Sequence, residues 1–385
     1  MKTSTINKIK IMIFGVGLAG IFLICILHKP TDFSERENRY LSQMPKLSFA
    51  KISDGSFMKE YESAITDQIP CRDAFTAVKT FVEKNRGMQD ENGVYFGNDG
   101  YLLGKYDESV FTSELAKKNI AFLTEFAKNT KKEFAPRHFQ MIMVPSSAEI
   151  LPDKLPEHVH VFNQTQWIND IKKGIGSEYF INAAEVLAPH DDQYIYYRTD
   201  HHYTTLGAWY VYKSWREKTG MSVLPLNSYE KKKVAGFFGT YDSKVNTALS
   251  GGVISDYISL YSLPESDSST MTWDGKDDKV YDGIFDRKKL KTKDKYSVFF
   301  GGNHGITDIS TGVPDKGTLL VIKDSFAHSL VPFAMQDYSR IVMVDLRYFN
   351  QSLKKYIHSN NISDILLLYS TADFAEDGNM AKLKS

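Results

Sequence analysis

The apolar positions of this chain fall into distinct regimes. Ile11 to Leu27 form an uninterrupted apolar run behind Lys2, Lys8 and Lys10. Such a run predicts a signal segment or a membrane anchor, at the short edge of the length that crosses a bilayer. No small-x-small cleavage site follows, and Ile24 before Cys25 is too bulky for a lipoprotein signal. The expectation is an uncleaved anchor over 1–28, with the body outside the cytoplasm. From 29 to 110 a polar leader follows, expected to pack on the domain behind it. In it Phe75, Val78, Phe81 and Val82 mark one amphipathic helix, and a glycine-rich stretch marks a β pair.

From 111 to 385 the pattern alternates. Ile120, Leu123 and Ala127 recur at helical spacing, with Phe122 and Phe126 widening the stripe. Phe139–Val144 reads as a buried strand ended by Pro145, Trp167, Ile168 and Ile171 as a helix, and Tyr179–Ile181 as a strand. Further strands are predicted at 317–322, 341–345 and 364–369, and Tyr296–Phe300 also reads as strand-like. Strands alternating with helices predict an α/β fold, a mostly parallel sheet with helices on both faces, whose active groups gather beyond the carboxyl ends of the strands. The stretch 240–295 shows no apolar period, and its runs such as Glu265–Ser269, Asp274–Asp278 and Arg287–Lys289 read as an insertion of solvated surface loops.

Two short segments carry the candidate chemistry. Ser325 follows the apolar run Thr318–Ile322, and Phe326, Leu330 and Phe333 begin a helical period that Pro332 shortens or bends. A serine at a strand-to-helix junction faces free N–H groups that stabilise a developing oxyanion; the other reading is that Asp324 or Ser325 caps the helix. Upstream, Asp200 and His202 stand two residues apart, sharing a face if extended or bonded through a turn, with His201 turned elsewhere. A serine nucleophile needs such a base and an orienting carboxylate. Asp200-His201-His202 also reads as a fragment of a metal site. No third ligand follows at a clear helical spacing, and no metal or cofactor is expected. The segment Thr205–Tyr212 reads as a helix with an aromatic face.

At these residues the chain resembles the DHHW family, a branch of the SGNH-hydrolase-like proteins related to the alginate O-acetylation proteins. Asp200-His201-His202-Tyr203 is similar to that family's Asp-x-His-aromatic motif, with Tyr for the usual Trp, and Lys323-Asp324-Ser325-Phe326 to its Gly-Asp-Ser-like motif, with Lys for Gly. The order Asp…His…Ser is permuted relative to ordinary SGNH hydrolases. Glu37–Leu41, Asp67–Pro70 with Arg72, Asn92–Gly97, Gly236–Thr240 and Asp345–Phe349 fit in order, so the likeness runs from about residue 35 onward. The resemblance implies an SGNH-like three-layer fold with Ser325 as nucleophile, His202 as base and Asp200 as its orienting partner. It further implies an oxyanion hole in which Gly302 and Asn303 join the Ser325 N–H, although Gly301-Gly302-Asn303 is also an ordinary turn sequence. Tyr203 marks a packing or substrate contact. Arg347 binds a substrate carboxylate, steadies the transition state or makes a structural ion pair.

The implied activity is O-acetyl transfer onto a cell-surface or secreted polysaccharide, with a multispanning membrane-bound O-acyltransferase as partner. An acetylesterase with the same three residues, or a non-catalytic polysaccharide-binding assembly protein, are the alternatives. Composition sets two further bounds. Basic and acidic residues balance at 47 each, which gives no footing for nucleic acid. Only two cysteines occur, one of them in the apolar run, so no intrachain disulfide is expected in the body.

Overall fold

The computed structural model describes residues 3–263, 268–275 and 279–385. Lys2 and parts of the polar runs, 264–267 and 276–278, lie outside the described residues. The chain divides into two compact units, one of residues 1–86 with 245–250 and one of 87–244 with 251–385.

The first unit begins with the helix Thr3–Leu27. Within it Thr5–Cys25 is long and apolar enough to cross a membrane, 21 residues or about 31 Å at the helical rise. The helices Ser56–Asp67 and Arg72–Asn85 follow, the second carrying the predicted stripe of Phe75, Val78, Phe81 and Val82. An ion cluster ties the unit together. Asp67 accepts from Arg39 Nη1 and Nη2 at 2.8 and 2.6 Å and from the Ser42 N–H at 2.8 Å. Glu37 pairs with Arg72 and accepts from Arg39 Nε at 2.7 Å.

The second unit is built on an eight-stranded sheet. Its strands are β1 (His138–Val144), β2 (Phe180–Asn182), β3 (Thr270–Trp273), β4 (Tyr281–Asp282), β5 (Ile306–Ser310), β6 (Thr318–Lys323), β7 (Arg340–Val344) and β8 (Asp364–Ser370). They run in the order β4-β3-β5-β7-β6-β8-β1-β2. The five strands from β7 to β2 are parallel, and β5, β3 and β4 extend the sheet antiparallel. The central strands are apolar on both faces because both are covered. In β6, Leu319 and Val321 join one core and Leu320 and Ile322 the other. The first core takes Val211 and Tyr212 from the helix Thr205–Lys218 and Leu330 and Phe333 from Ala327–Ala334. The second takes Leu123 and Phe126 from Glu114–Glu133 and Ile168 and Ile171 from Gln164–Ile175. This is a three-layer α/β fold with a mostly parallel sheet. Burial of each such side chain contributes roughly 1.5–3 kcal/mol.

Two sequence expectations are corrected. The stretch 240–295 is not loop alone: Asp256–Ser262 pairs antiparallel with Glu230–Phe237, and β3 and β4 add to the main sheet. β3 and β4 are only four and two residues long, too short to show a period. Tyr296–Phe300 is not a strand. Lys295–Val298 forms a 3₁₀ turn capped by Asp294, and Phe300, Gly301 and Gly302 all take positive φ, a conformation a strand does not allow.

Candidate active site

Ser325 owes its position to the end of β6. Asp324, fully buried, accepts from the Phe326 N–H at 2.9 Å and from the Ser370 N–H at the end of β8 at 2.6 Å. That turn hands the chain from strand to the eight-residue helix Ala327–Ala334, which rolls through Pro332 into a 3₁₀ turn. The turn-bonding role therefore falls to Asp324, and the Ser325 side chain caps nothing. The Ser325 N–H has no acceptor among the described residues.

Asp200 and His202 come from a tight loop between Tyr196 and Tyr203, which bridge each other. The chain turns rather than extends. Asp200 Oδ1 accepts from the His202 N–H at 3.1 Å and from His202 Nδ1 at 2.5 Å, and His202 Nε2 lies 2.8 Å from Ser325 Oγ. Asp200 Oδ2 accepts from the Thr240 N–H and Oγ1 at 2.8 and 3.1 Å. Burial alone would raise the Asp200 carboxyl, but the rings of His201 and His202 and the bonds from His202 Nδ1 and the Thr240 N–H hold it well below the usual carboxylate range. The bond to Nδ1 fixes the imidazole with Nε2 toward the serine. His201 turns aside, with Nδ1 2.6 Å from Thr240 Oγ1, and burial with the neighbouring His202 pushes it down to about 4.

Several supporting residues carried little or no sequence signal. Asp256 accepts from the N–H groups of Arg198 and Thr199 at 2.7 and 2.8 Å and from the hydroxyls of Thr199 and Tyr194 at 2.5 Å, pinning the loop from below. Tyr296 stacks on His202 at 3.8 Å and donates to the Ser325 carbonyl at 3.1 Å. Gly239 lies so close that a Cβ there would sit 2.2 Å from that of Asp200. Only Gly239 and Thr240 had a pointer, in the motif Gly236–Thr240.

The remaining expected site residues stand apart from the three. Tyr203 is fully buried and donates to the Phe326 carbonyl at 2.8 Å, so it braces the turn after Ser325 and touches no substrate. The Gly302 N–H is bound to the Phe299 carbonyl at 3.2 Å, which removes it as an oxyanion donor. Asn303 accepts from Lys323 Nζ at 3.2 Å and lines a cavity of about 370 Å³ with Asp274, His304 and Tyr348. Arg347 forms a two-pronged pair with Asp345 at 2.9 and 2.7 Å. Lys323 keeps strand backbone, so the loss of glycine costs no special conformation. Its buried Nζ sits among Asn303, Asp345 and His328, and burial pushes it down to about 8. The ligand atoms of Asp200, His201 and His202 lie within 4.8 Å of one another. Both nitrogens of His202 are nevertheless engaged, which favours the proton-transfer arrangement over metal ligation.

The family model described as DHHW protein matches residues 90–344. The chain is similar to the crystal structure of a DHHW family protein from Eubacterium siraeum, at 26% identity and a TM-score of 0.62, over 76% of this chain and 97% of that one. It is also similar in fold to Bacillus cereus PatB1, at 19% identity and a TM-score of 0.62, over 75% of this chain and 99% of that one. A structure of PatB1 with sulfonyl adduct matches at 20% identity and a TM-score of 0.58, over 76% and 98%. No match to a curated protein was found.

Proposed function

This chain is a member of the DHHW family, and from its site we propose that it is an extracytoplasmic O-acetyltransferase working through a serine acyl-enzyme. The observation that carries the reading is the unbroken relay from Asp200 Oδ1 through both nitrogens of His202 to Ser325 Oγ, at 2.5 and 2.8 Å. Ser325 Oγ attacks the carbonyl carbon of an acyl donor while its proton passes to His202 Nε2. The resulting imidazolium is steadied by Asp200. The Ser325 N–H faces the developing oxyanion. His202 returns the proton to the departing group, leaving Ser325 acylated. A sugar hydroxyl then gives its proton to His202 and attacks the ester, and Ser325 recovers its hydrogen.

The acceptor in this proposal is a cell-surface or secreted polysaccharide. The helix Thr3–Leu27 holds the enzyme at the membrane, and a multispanning membrane-bound O-acyltransferase delivers acyl groups to it. The test uses the full-length protein in detergent micelles with a chromogenic acetyl ester and an oligosaccharide acceptor. Acetate release and acceptor mass are followed for the wild type and Ser325→Ala. Mass gain on the sugar, lost in the variant, is the expected result. Acetate release without mass gain would make the protein an acetylesterase, and full activity in Ser325→Ala would sink the serine mechanism.

A further inference from the structure

The relay leaves one buried cation unused. Lys323 is the last residue of β6, only 1% exposed, and closes a strand otherwise built of Thr318 and aliphatic residues. A buried ammonium gives up its hydration, and an apolar side chain would fill the same place at lower cost. The surroundings are nevertheless built for the charge. An ammonium carries three N–H donors. Nζ meets three acceptors, Asn303 Oδ1 at 3.2 Å, Asp345 Oδ2 at 3.3 Å and His328 Nε2 at 2.8 Å. The bond to Nε2 requires a neutral imidazole, and burial beside the Lys323 charge holds His328 well below the usual histidine range.

These bonds bracket the nucleophile. Lys323 stands two residues before Ser325 and His328 three after it, so the contact of Nζ with Nε2 closes the turn from both ends. The His328 N–H also donates to the Ser325 carbonyl at 3.2 Å. The other two bonds fasten the turn to its neighbours. Asp345 follows β7 and is itself paired with Arg347, and Asn303 follows the positive-φ residues 300–302.

We infer that Lys323 is a positioning residue for acyl transfer: as an ammonium it clamps the turn around Ser325 and keeps Oγ in line with His202 Nε2, and loss of its proton loosens the clamp and slows turnover. The inference rests on the serine acyl-enzyme reading. Without that proton Nζ keeps two N–H donors for three acceptors, so one bond of the clamp is lost. Burial brings the change down to about pH 8. The other charged and titratable groups around Nζ are Asp345 and Arg347 beyond β7, Asp324 and His328 on its own segment, and His304 beside Asn303. Burial holds His304 low, as it does His328, and pushes Asp324 up to about 7. Against their burial, their mutual bonds hold Asp345 below and Arg347 above their usual ranges. Lys323 is therefore the group of this set that changes charge near pH 8.

Full-length protein in detergent micelles is assayed with the chromogenic acetyl ester on both sides of pH 8. Wild-type kcat should fall as pH rises through about 8, with KM unchanged. Lys323→Met should lower kcat about 10²-fold at neutral pH, as a displaced reacting group does, and abolish the alkaline fall. His328→Gln, whose amide oxygen still accepts from Nζ, should keep most of the activity, whereas His328→Leu should lose as much as Lys323→Met. A wild-type kcat flat through pH 8, an alkaline fall that persists in Lys323→Met, or equal kcat in the two His328 variants overturns the inference. The wild-type profile and the His328 pair decide it if Lys323→Met does not fold. Labelling of wild-type Ser325 by a sulfonyl fluoride is measured in parallel. Labelling alongside any of those overturning results removes the clamp and leaves the acyl-transfer reading standing, whereas no labelling and no ester turnover removes both.

Discussion

Each unit of this protein ties distant stretches of chain together through a carboxylate, and the two clusters end differently. In the first unit Asp67 meets Arg39, and Glu37 meets Arg72, so every charge faces an opposite charge and the cluster closes on itself. In the second, Asp200 gathers four donors, but the chain of bonds runs out through His202 to a hydroxyl. A closed cluster holds structure. An open-ended one moves a proton, because the last group has a lone pair free to react. Exposure separates them as well. Arg39 is 41% exposed, so water screens its pair, whereas Asp200 is 3% exposed at its side chain and depends on its protein donors.

Breaking the open cluster should have the larger effects. Asp200→Asn removes the charge that fixes and steadies the imidazole, and kcat for acyl transfer should fall by about 10³–10⁴-fold. Steady-state kinetics with the chromogenic ester would check this, and a fall under ten-fold would deny Asp200 that role. Gly239→Ala should come next. Its methyl would displace the Asp200 side chain, and a shift of about 1 Å in such a group costs on the order of 10²-fold in rate. Unaltered kinetics in a folded variant would show that the loop tolerates the intrusion.

The closed cluster should yield smaller effects, in stability alone. Asp67→Asn should lower unfolding free energy by roughly 1 kcal/mol after screening, with acyl-transfer kcat unchanged. The hydrogen bonds from Arg39 lower the Asp67 carboxyl to about 2. A carboxyl depressed in the folded state stabilises fully above its unfolded pKa, about 3.9, and that contribution is lost as pH falls through its folded value. Denaturant melts should therefore show the difference between wild type and Asp67→Asn shrinking from pH 4 toward pH 2. A constant difference would mean that Asp67 acts by packing rather than charge.

The strands around Ser325 were legible because central parallel strands are apolar on both faces, and β1, β6, β7 and β8 lie within a residue or two of their expected bounds. Asp200, His202 and Ser325 were legible as two motifs, since their chemistry needs fixed residue types at short spacing. Asp256 was not. It sits in a polar stretch without period, and only the strand pairing of Asp256–Ser262 with Glu230–Phe237 carries it to the loop at 198–200. Tyr296 was read as part of a strand, whereas it lies in the 3₁₀ turn Lys295–Val298 with its ring stacked on His202. Gly302 and Asn303 matched an expected role by type, but the backbone bond of Gly302 and the contact of Asn303 with Lys323 are tertiary facts that spacing does not carry.

The central claim is that Ser325 carries the acyl group. Full-length protein mixed with a chromogenic acetyl ester, quenched in acid within the first turnovers and mapped by peptide mass spectrometry tests it directly. The account predicts one acetyl group on the peptide containing Ser325, absent from Ser325→Ala and reduced in Asp200→Asn. Acetyl on another residue, or turnover with Ser325 unmodified in every quenched sample, would contradict it.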